Sequence, residues 1–384
     1  YCFFYISKEK ETIMAKFLLV GQADHDNFGD SLIYYCYLSL LKEMGHDADI
    51  LNASEQFTGR IHFLGLQVKN IDTKNIKNIE DNYNGVIFIP GGYFGCPDFT
   101  DVLWQKKWVE SDYFKSIFDT IDKLSIPIYI HGAEVGPFAK PIVFKYFKNV
   151  ISSSSKVFVR NSGSASYVKT TMGIDTTVLP DFIFSLKHFV NIGKKEKLFK
   201  LGIHITGKVF ANNFLSKRFM SSLIEVINQQ EIGSVLLFSD QIIPKRFKNA
   251  IDEFRKNVNA NTRLEVRDYD DMASVISNAA ECDTIVTSKL HVGVTGLVFG
   301  AKVLCIASHP KLKRFYQDNN LSEAYLNYFL TSNFKKKKEL KKVLDATFGD
   351  YQSTSLEDNI KNTLSIYKNT LADIVSDSLC EGRN

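Results

Sequence analysis

The sequence predicts an α/β protein of two Rossmann-like, doubly wound domains that face each other across a cleft. Three observations carry this. Short apolar runs alternate with segments long enough for helices along most of the chain, the pattern of a parallel sheet with crossover helices. The alternation occurs twice, interrupted by a lysine-rich stretch, HFVNIGKKEKLFK, that reads as a linker. The length of 384 residues exceeds what one hydrophobic core usually organises.

The apolar run at 16–20 reads as a buried strand. It passes through a polar loop, ADHDNFGD, into a helix over 31–44 that Gly45 ends. Further strands are predicted at 49–51, 86–89, 128–130, 157–159 and 177–179. Beyond the linker come a strand at 201–205, a helix at 217–229, a strand at 235–238 and a helix from Pro244. A strand at 264–266, a helix from Asp271, a strand at 284–287, a helix from His291 and a strand at 302–306 complete the second half. The expected units are 14–190, 198–321 and a helical tail, 322–384, packing back on the first domain. The native fold is expected to start near Met14, because the preceding YCFFYISKEKETI lacks the features of a signal peptide. Ligands should sit at the carboxyl ends of the strands.

With 45% hydrophobic and 23% charged residues the composition is that of a globular protein. A net charge of +4, spread along the chain, gives no nucleic-acid footprint but allows an anionic small molecule. Six scattered cysteines without a Cys-x-x-Cys pair indicate a reducing, cytosolic compartment. No apolar run approaches the roughly 20 residues that span a bilayer. The spacing of histidines and cysteines suggests no metal, and neither a Walker loop nor a G-x-G-x-x-G turn is present.

The sharpest local signal lies where strand 284–287 runs into Ser288, Lys289, Leu290 and His291, followed by a helix holding Gly293. Unpaired N–H groups and the positive end of the helix dipole suit an anion there. A capped helix with a solvated lysine and a packed histidine is the bland alternative. Four other segments stand out: Asn27-Phe28-Gly29-Asp30; the turn holding Gly91, Gly92, Tyr93 and Phe94; HGAEVGPF with Gly132, Glu134 and Gly136; and FVRNSGSASYVK with Arg160 and Asn161. For Asp30 a helix N-cap competes evenly with a catalytic carboxylate.

Taken together and in this order, these segments resemble the polysaccharide pyruvyl transferase family. Lys289 stands where that family usually has Arg, and Asn161 where it usually has Asp; His291 matches. The resemblance implies a GT-B-like architecture. It also implies transfer of the pyruvyl group of phosphoenolpyruvate, a co-substrate with no further cofactor, onto a hexose of a bacterial surface or capsular polysaccharide, forming a ketal and releasing phosphate. His291 is then the expected general acid, Asp30 the base and Glu134 the reserve base. Arg160, Lys289, Ser288 and Gly293 would hold the donor; Asn27, Gly29, Gly91, Gly92, Gly132 and Gly136 would bring backbone close to it. The acceptor is a sugar, on a lipid-linked repeat unit or a free glycan end, with Tyr93, Phe94 and Trp104 as stacking candidates. Lys335 to Lys338, with Lys341 and Lys342, could touch anionic lipid at the inner face of the plasma membrane or simply form a solvated helix face. A nucleotide-sugar glycosyltransferase of the same architecture and a non-catalytic glycan- or phosphometabolite-binding relative are the rival readings.

Overall fold

The computed structural model describes residues 14–24, 27–63, 65–94, 112–138, 141–193, 198–346, 351 and 353–381. Trp104, Gly95, Cys2, Cys96 and the segment before Met14 lie outside them. Two sheets, every recorded strand pair parallel, organise the chain. The first contains β1 (Lys16–Val20), β2 (Asp47–Leu51), β3 (Asn70–Ile71), β4 (Gly85–Phe88), β5 (Gly91–Phe94), β6 (Ile128–Val135), β7 (Lys156–Val159) and β8 (Thr177–Val178). Its order is β3-β2-β1-β4-β6-β7-β8, with β5 paired to β6. The second contains β9 (Leu201–His204), β10 (Ser234–Phe238), β11 (Arg263–Arg267), β12 (Thr284–Thr287), β13 (Lys302–Ala307) and β14 (Tyr325–Asn327). Its order is β11-β10-β9-β12-β13-β14.

Both orders reverse direction beside their first strand, between β1 and β4 and between β9 and β12. At such a switch point neighbouring crossovers leave to opposite faces, and a crevice opens at the carboxyl ends. The helix Phe28–Glu43 follows β1 and the helix Leu290–Val298 follows β12, so each crevice holds a helix N-terminus. Covered on both faces, the central strands are buried throughout and mostly apolar: every residue of β4, β9, β10, β12 and β13 is buried, with polar side chains such as Ser234, Lys302, Thr287 and His204 confined to the strand ends. One apolar cluster joins the lobes, packing Phe28 and Leu32 with Leu290, Val294 and Phe315.

The first helix starts at Phe28, three residues before the periodicity shows it, because the Asn27 side chain accepts the Gly29 N–H at 2.9 Å. The glycine-rich segment expected as a turn is strand β5, seated against the end of β6. The tail divides. β14 extends the second sheet, and the helix Asn333–Asp345 buries Leu340 and Val343 in the second lobe's core. The helix Thr354–Glu381 returns to the first lobe, where Thr370 meets His131 Nε2 at 2.7 Å and Tyr129 Oη donates to Asp377 at 2.9 Å. No described helix is long and apolar enough to cross a membrane.

Candidate functional site

A cavity of about 260 Å³ lies between the lobes where the two switch points meet. Asn27, Gly29 and Asp30 enter it from the first helix, Gly92 from β5 and Arg160 from the end of β7. Ser288, Lys289 and His291 come from the turn after β12, and His309 and Lys311 from the turn after β13. Residues far apart in sequence meet because each follows a strand at the same end of its sheet.

Lys289 is the helix N-cap residue, half-exposed, with Nζ 3.7 Å from Asp240. Beneath it the buried His204 links Thr287 (3.2 Å to Nδ1) to Asp240 (3.1 Å to Nε2), while Thr287 Oγ1 accepts the Lys289 N–H at 3.0 Å. That pattern fits a His204 whose Nε2–H donates to Asp240, and it fixes the turn that carries Ser288 and Lys289. Asp240 is held far below the usual carboxylate range: burial opposes its ionisation, but His204 and Lys289 more than offset that.

The His291 ring packs on the first helix, its Nε2 buried without a hydrogen-bond partner and 3.9 Å from Asp181. Burial, with Arg160, Lys311 and Lys289 outweighing Asp181, pushes its pKa down to about 4. The imidazole is therefore neutral at pH 7, where the sequence led to the expectation of an ordinary imidazole pKa.

Arg160 is not a free cation aimed at the cleft. It is buried, with one guanidinium nitrogen 2.5 Å from Glu134 and the other 3.5 Å from Asp181. Burial alone would raise the Glu134 carboxyl, but Arg160, Arg314 and Lys311 hold it below the usual range. Glu134 thus anchors cations and is a poor reserve base. Asp30 lines the cavity from the first turn of its helix, and Asn27, not Asp30, is the cap. Asn161 caps the helix Ser162–Met172 through the Ser164 N–H at 2.8 Å, a task that Asn performs as well as Asp.

The glycines divide by what they approach. Gly92 opens the cavity floor: a Cβ there would lie 3.8 Å from Arg160 and Glu134 and 4.0 Å from Lys311. Gly29 makes room for His291. The others do not reach the cavity: Gly132, at φ +88°, faces Tyr367 of the last helix, Gly136 faces Tyr167, Gly91 faces Tyr93 and Gly293 faces Tyr316. Tyr93 and Phe94 are core residues.

Lys311, which the His309-Pro310-Lys311 stretch shares with the family's pattern but to which the sequence assigned no role, also lines the cavity. Burial pulls its ammonium pKa down, Glu134 partly offsets this, and among the described residues no carboxylate lies within 4.0 Å of Nζ. The available signal was its place after His309-Pro310, where His309 Nδ1 accepts the Lys311 N–H at 3.2 Å and opens a helix. The lysine run is likewise not uniform. Lys336 is buried, donating to the Tyr328 carbonyl at 2.7 Å, while Lys337 pairs with Glu225 and Lys342 with Glu323.

Residues 27–310 match the family model described as polysaccharide pyruvyl transferase. No curated protein matches in sequence. Among solved structures the chain is similar to the UDP-GlcNAc 2-epimerase of Methanocaldococcus jannaschii, at 12% identity and TM-score 0.59 over 91% of this chain and 99% of that one. It is also similar to the UDP-GlcNAc 2-epimerase of Neisseria meningitidis bound to UDP-GlcNAc, at 9% identity and TM-score 0.59 over 93% and 100%. These neighbours have the GT-B fold, two Rossmann-like lobes around a cleft, as found here.

Proposed function

The chain belongs to the polysaccharide pyruvyl transferase family, and we propose that its interlobe cavity binds phosphoenolpyruvate and transfers the pyruvyl group to a sugar. The observation that supports the donor most is the pairing of Lys311, a half-buried cation without a close carboxylate, with the unpartnered His291 Nε2 in one small cavity. Together with Lys289 and the start of the helix Leu290–Val298 they offer positive potential to a ligand carrying both carboxylate and phosphate. Arg160, neutralised by Glu134 and Asp181, shapes the wall of the cavity on the first lobe rather than supplying free positive charge.

In this reading the donor's negative charge offsets Lys289 and Lys311 and raises the His291 pKa toward neutrality, making His291 the acid. The donor methylene carbon gains a proton and becomes a methyl group. One acceptor hydroxyl then forms a C–O bond at the cationic C2; a second hydroxyl forms another as the C2–O bond to phosphate breaks. Of the two hydroxyl protons, one replaces the proton given to carbon and the other leaves with phosphate. Asp30, on the opposite lobe, takes the hydroxyl proton. The reading calls for no other cofactor. The acceptor is a hexose of a bacterial surface or capsular polysaccharide or its lipid-linked precursor, handled in the cytoplasm.

Thermal shift with phosphoenolpyruvate against UDP-sugars tests the donor, because a ligand that binds only the native state raises the midpoint. Phosphoenolpyruvate should raise it and UDP-sugars should not. The reverse result overturns the reading in favour of a nucleotide-sugar enzyme.

A further inference from the structure

A second cavity, of about 600 Å³, opens at the carboxyl ends of β9 and β12 and meets the site at Ser288 and Lys289. Its rim is apolar. Phe214 is 70% exposed and Phe329 63%, and just beyond them Leu330 is 87% and Phe334 79% exposed. Single exposed apolar residues need no explanation, but a cluster at a cavity mouth does. The cavity lining holds Lys208 and Lys289 and no aspartate or glutamate, and Lys217, Arg218, Lys335 and Lys338 follow close by in the chain, where Glu225 pairs with Lys337. Arg218 lies 5.3 Å from the Phe214 ring and Lys208 5.3 Å from the Phe329 ring, so cations and aromatic surface alternate on one face.

We propose that this face docks on an anionic lipid bilayer. Exposed Phe and Leu side chains would enter the boundary between head groups and acyl chains, and the surrounding cations would meet lipid phosphates. A second copy of the chain is the poorer occupant, since a two-fold contact would set this predominantly basic rim against itself. The part of the lysine run that serves the contact is Lys335 and Lys338, both exposed, rather than the whole run. Docked this way, the cavity opens toward the membrane, and an acceptor anchored there reaches Ser288 and Lys289 without leaving it. That last step rests on the pyruvyl-transfer reading; the docking does not.

The test is co-sedimentation of the full chain with vesicles of phosphatidylcholine alone and of phosphatidylcholine with phosphatidylglycerol, at low salt. Binding is expected only with phosphatidylglycerol. Lys335→Gln with Lys338→Gln should weaken it about fivefold per lysine, and Leu330→Ser with Phe334→Ser about tenfold or more. All four positions are exposed, so melting midpoints and the phosphoenolpyruvate-induced shift should match the wild type. Failure to bind phosphatidylglycerol vesicles, or undiminished binding by the apolar variant, overturns the proposal. So does a concentration-dependent dimer in the wild type that the apolar variant loses, which assigns the face to a second copy. Vesicle binding without a phosphoenolpyruvate shift would leave docking intact and remove the donor reading instead.

Discussion

Gly29 and His291 touch across the two lobes: a methyl group on Gly29 would come within 1.9 Å of His291 Nδ1. The absence of a side chain at the second position of one helix therefore lets the second lobe place its histidine. The same contact brings the site's two halves together.

Gly29→Ala should cost more activity than stability. Alanine is the better helix former by about 1 kcal/mol, which offsets part of the roughly 1–3 kcal/mol that overpacking costs as His291 is forced to move. A fall in kcat/KM of roughly 100-fold, with the chain still folded and its melting midpoint lowered only modestly, is the expected result, on the scale of losing a positioned acid. Wild-type kinetics would show that His291 works from another rotamer.

Donor binding should take up protons. The His291 pKa of about 4 should rise when phosphoenolpyruvate binds, so between pH 5 and 7 the bound form should hold more protons than the free form. Calorimetry in buffers of differing ionisation enthalpy should show net uptake, abolished by His291→Gln. Uptake that survives the substitution would assign the proton elsewhere.

Lys311 should matter more than Lys289. Lys311 is only half-buried, but it is more desolvated than Lys289, whose side chain is 46% exposed, and so acts through less screening. Lys311→Met should weaken phosphoenolpyruvate binding about 100-fold and Lys289→Met about tenfold, with Lys289→Arg retaining most of the affinity. Equal effects of the two methionine variants would contradict the assigned burial.

Arg160→Ala should destabilise the fold as well as the site. It strands Glu134 and Asp181, both buried, and breaking such a pair costs about 3–5 kcal/mol. Urea denaturation reads this directly. A loss below about 1 kcal/mol would mean that water reaches the pair and screens it.

Acid should loosen the last helix early. Burial pushes His131, wedged between Tyr37 and Thr370, down to a pKa of about 3. The unfolded chain takes up this proton below pH 6.5 while the folded chain does not. Stability present above pH 6.5 is thus lost as pH falls, by about 2 kcal/mol at pH 5 from this group. Hydrogen exchange across 354–381 at pH 7 and pH 5 should show the opening, and equal protection at both would exclude it.

The strands were legible because parallel strands buried on both faces are continuous apolar runs, and β1 and β12 have the bounds that pattern predicts. The turns carrying Asp30, Arg160, Lys289 and His291 were legible because they follow those strands directly, and the structure brings all four to one cavity. Short or polar pieces escaped: β3 is two residues long, and β5 is half glycine. What local pattern cannot encode is who neighbours whom. Gly132 and Gly29 are alike in sequence, yet one accommodates Tyr367 of the last helix and the other His291. Arg160 reads as a free cation until Glu134 and Asp181 fold against it, and His291 as an ordinary imidazole until burial among Arg160, Lys311 and Lys289 removes its proton. Periodicity fixes the fold because burial acts along each element. Charge state and partnership are set by desolvation and Coulomb interactions between elements, which only the tertiary structure brings within range.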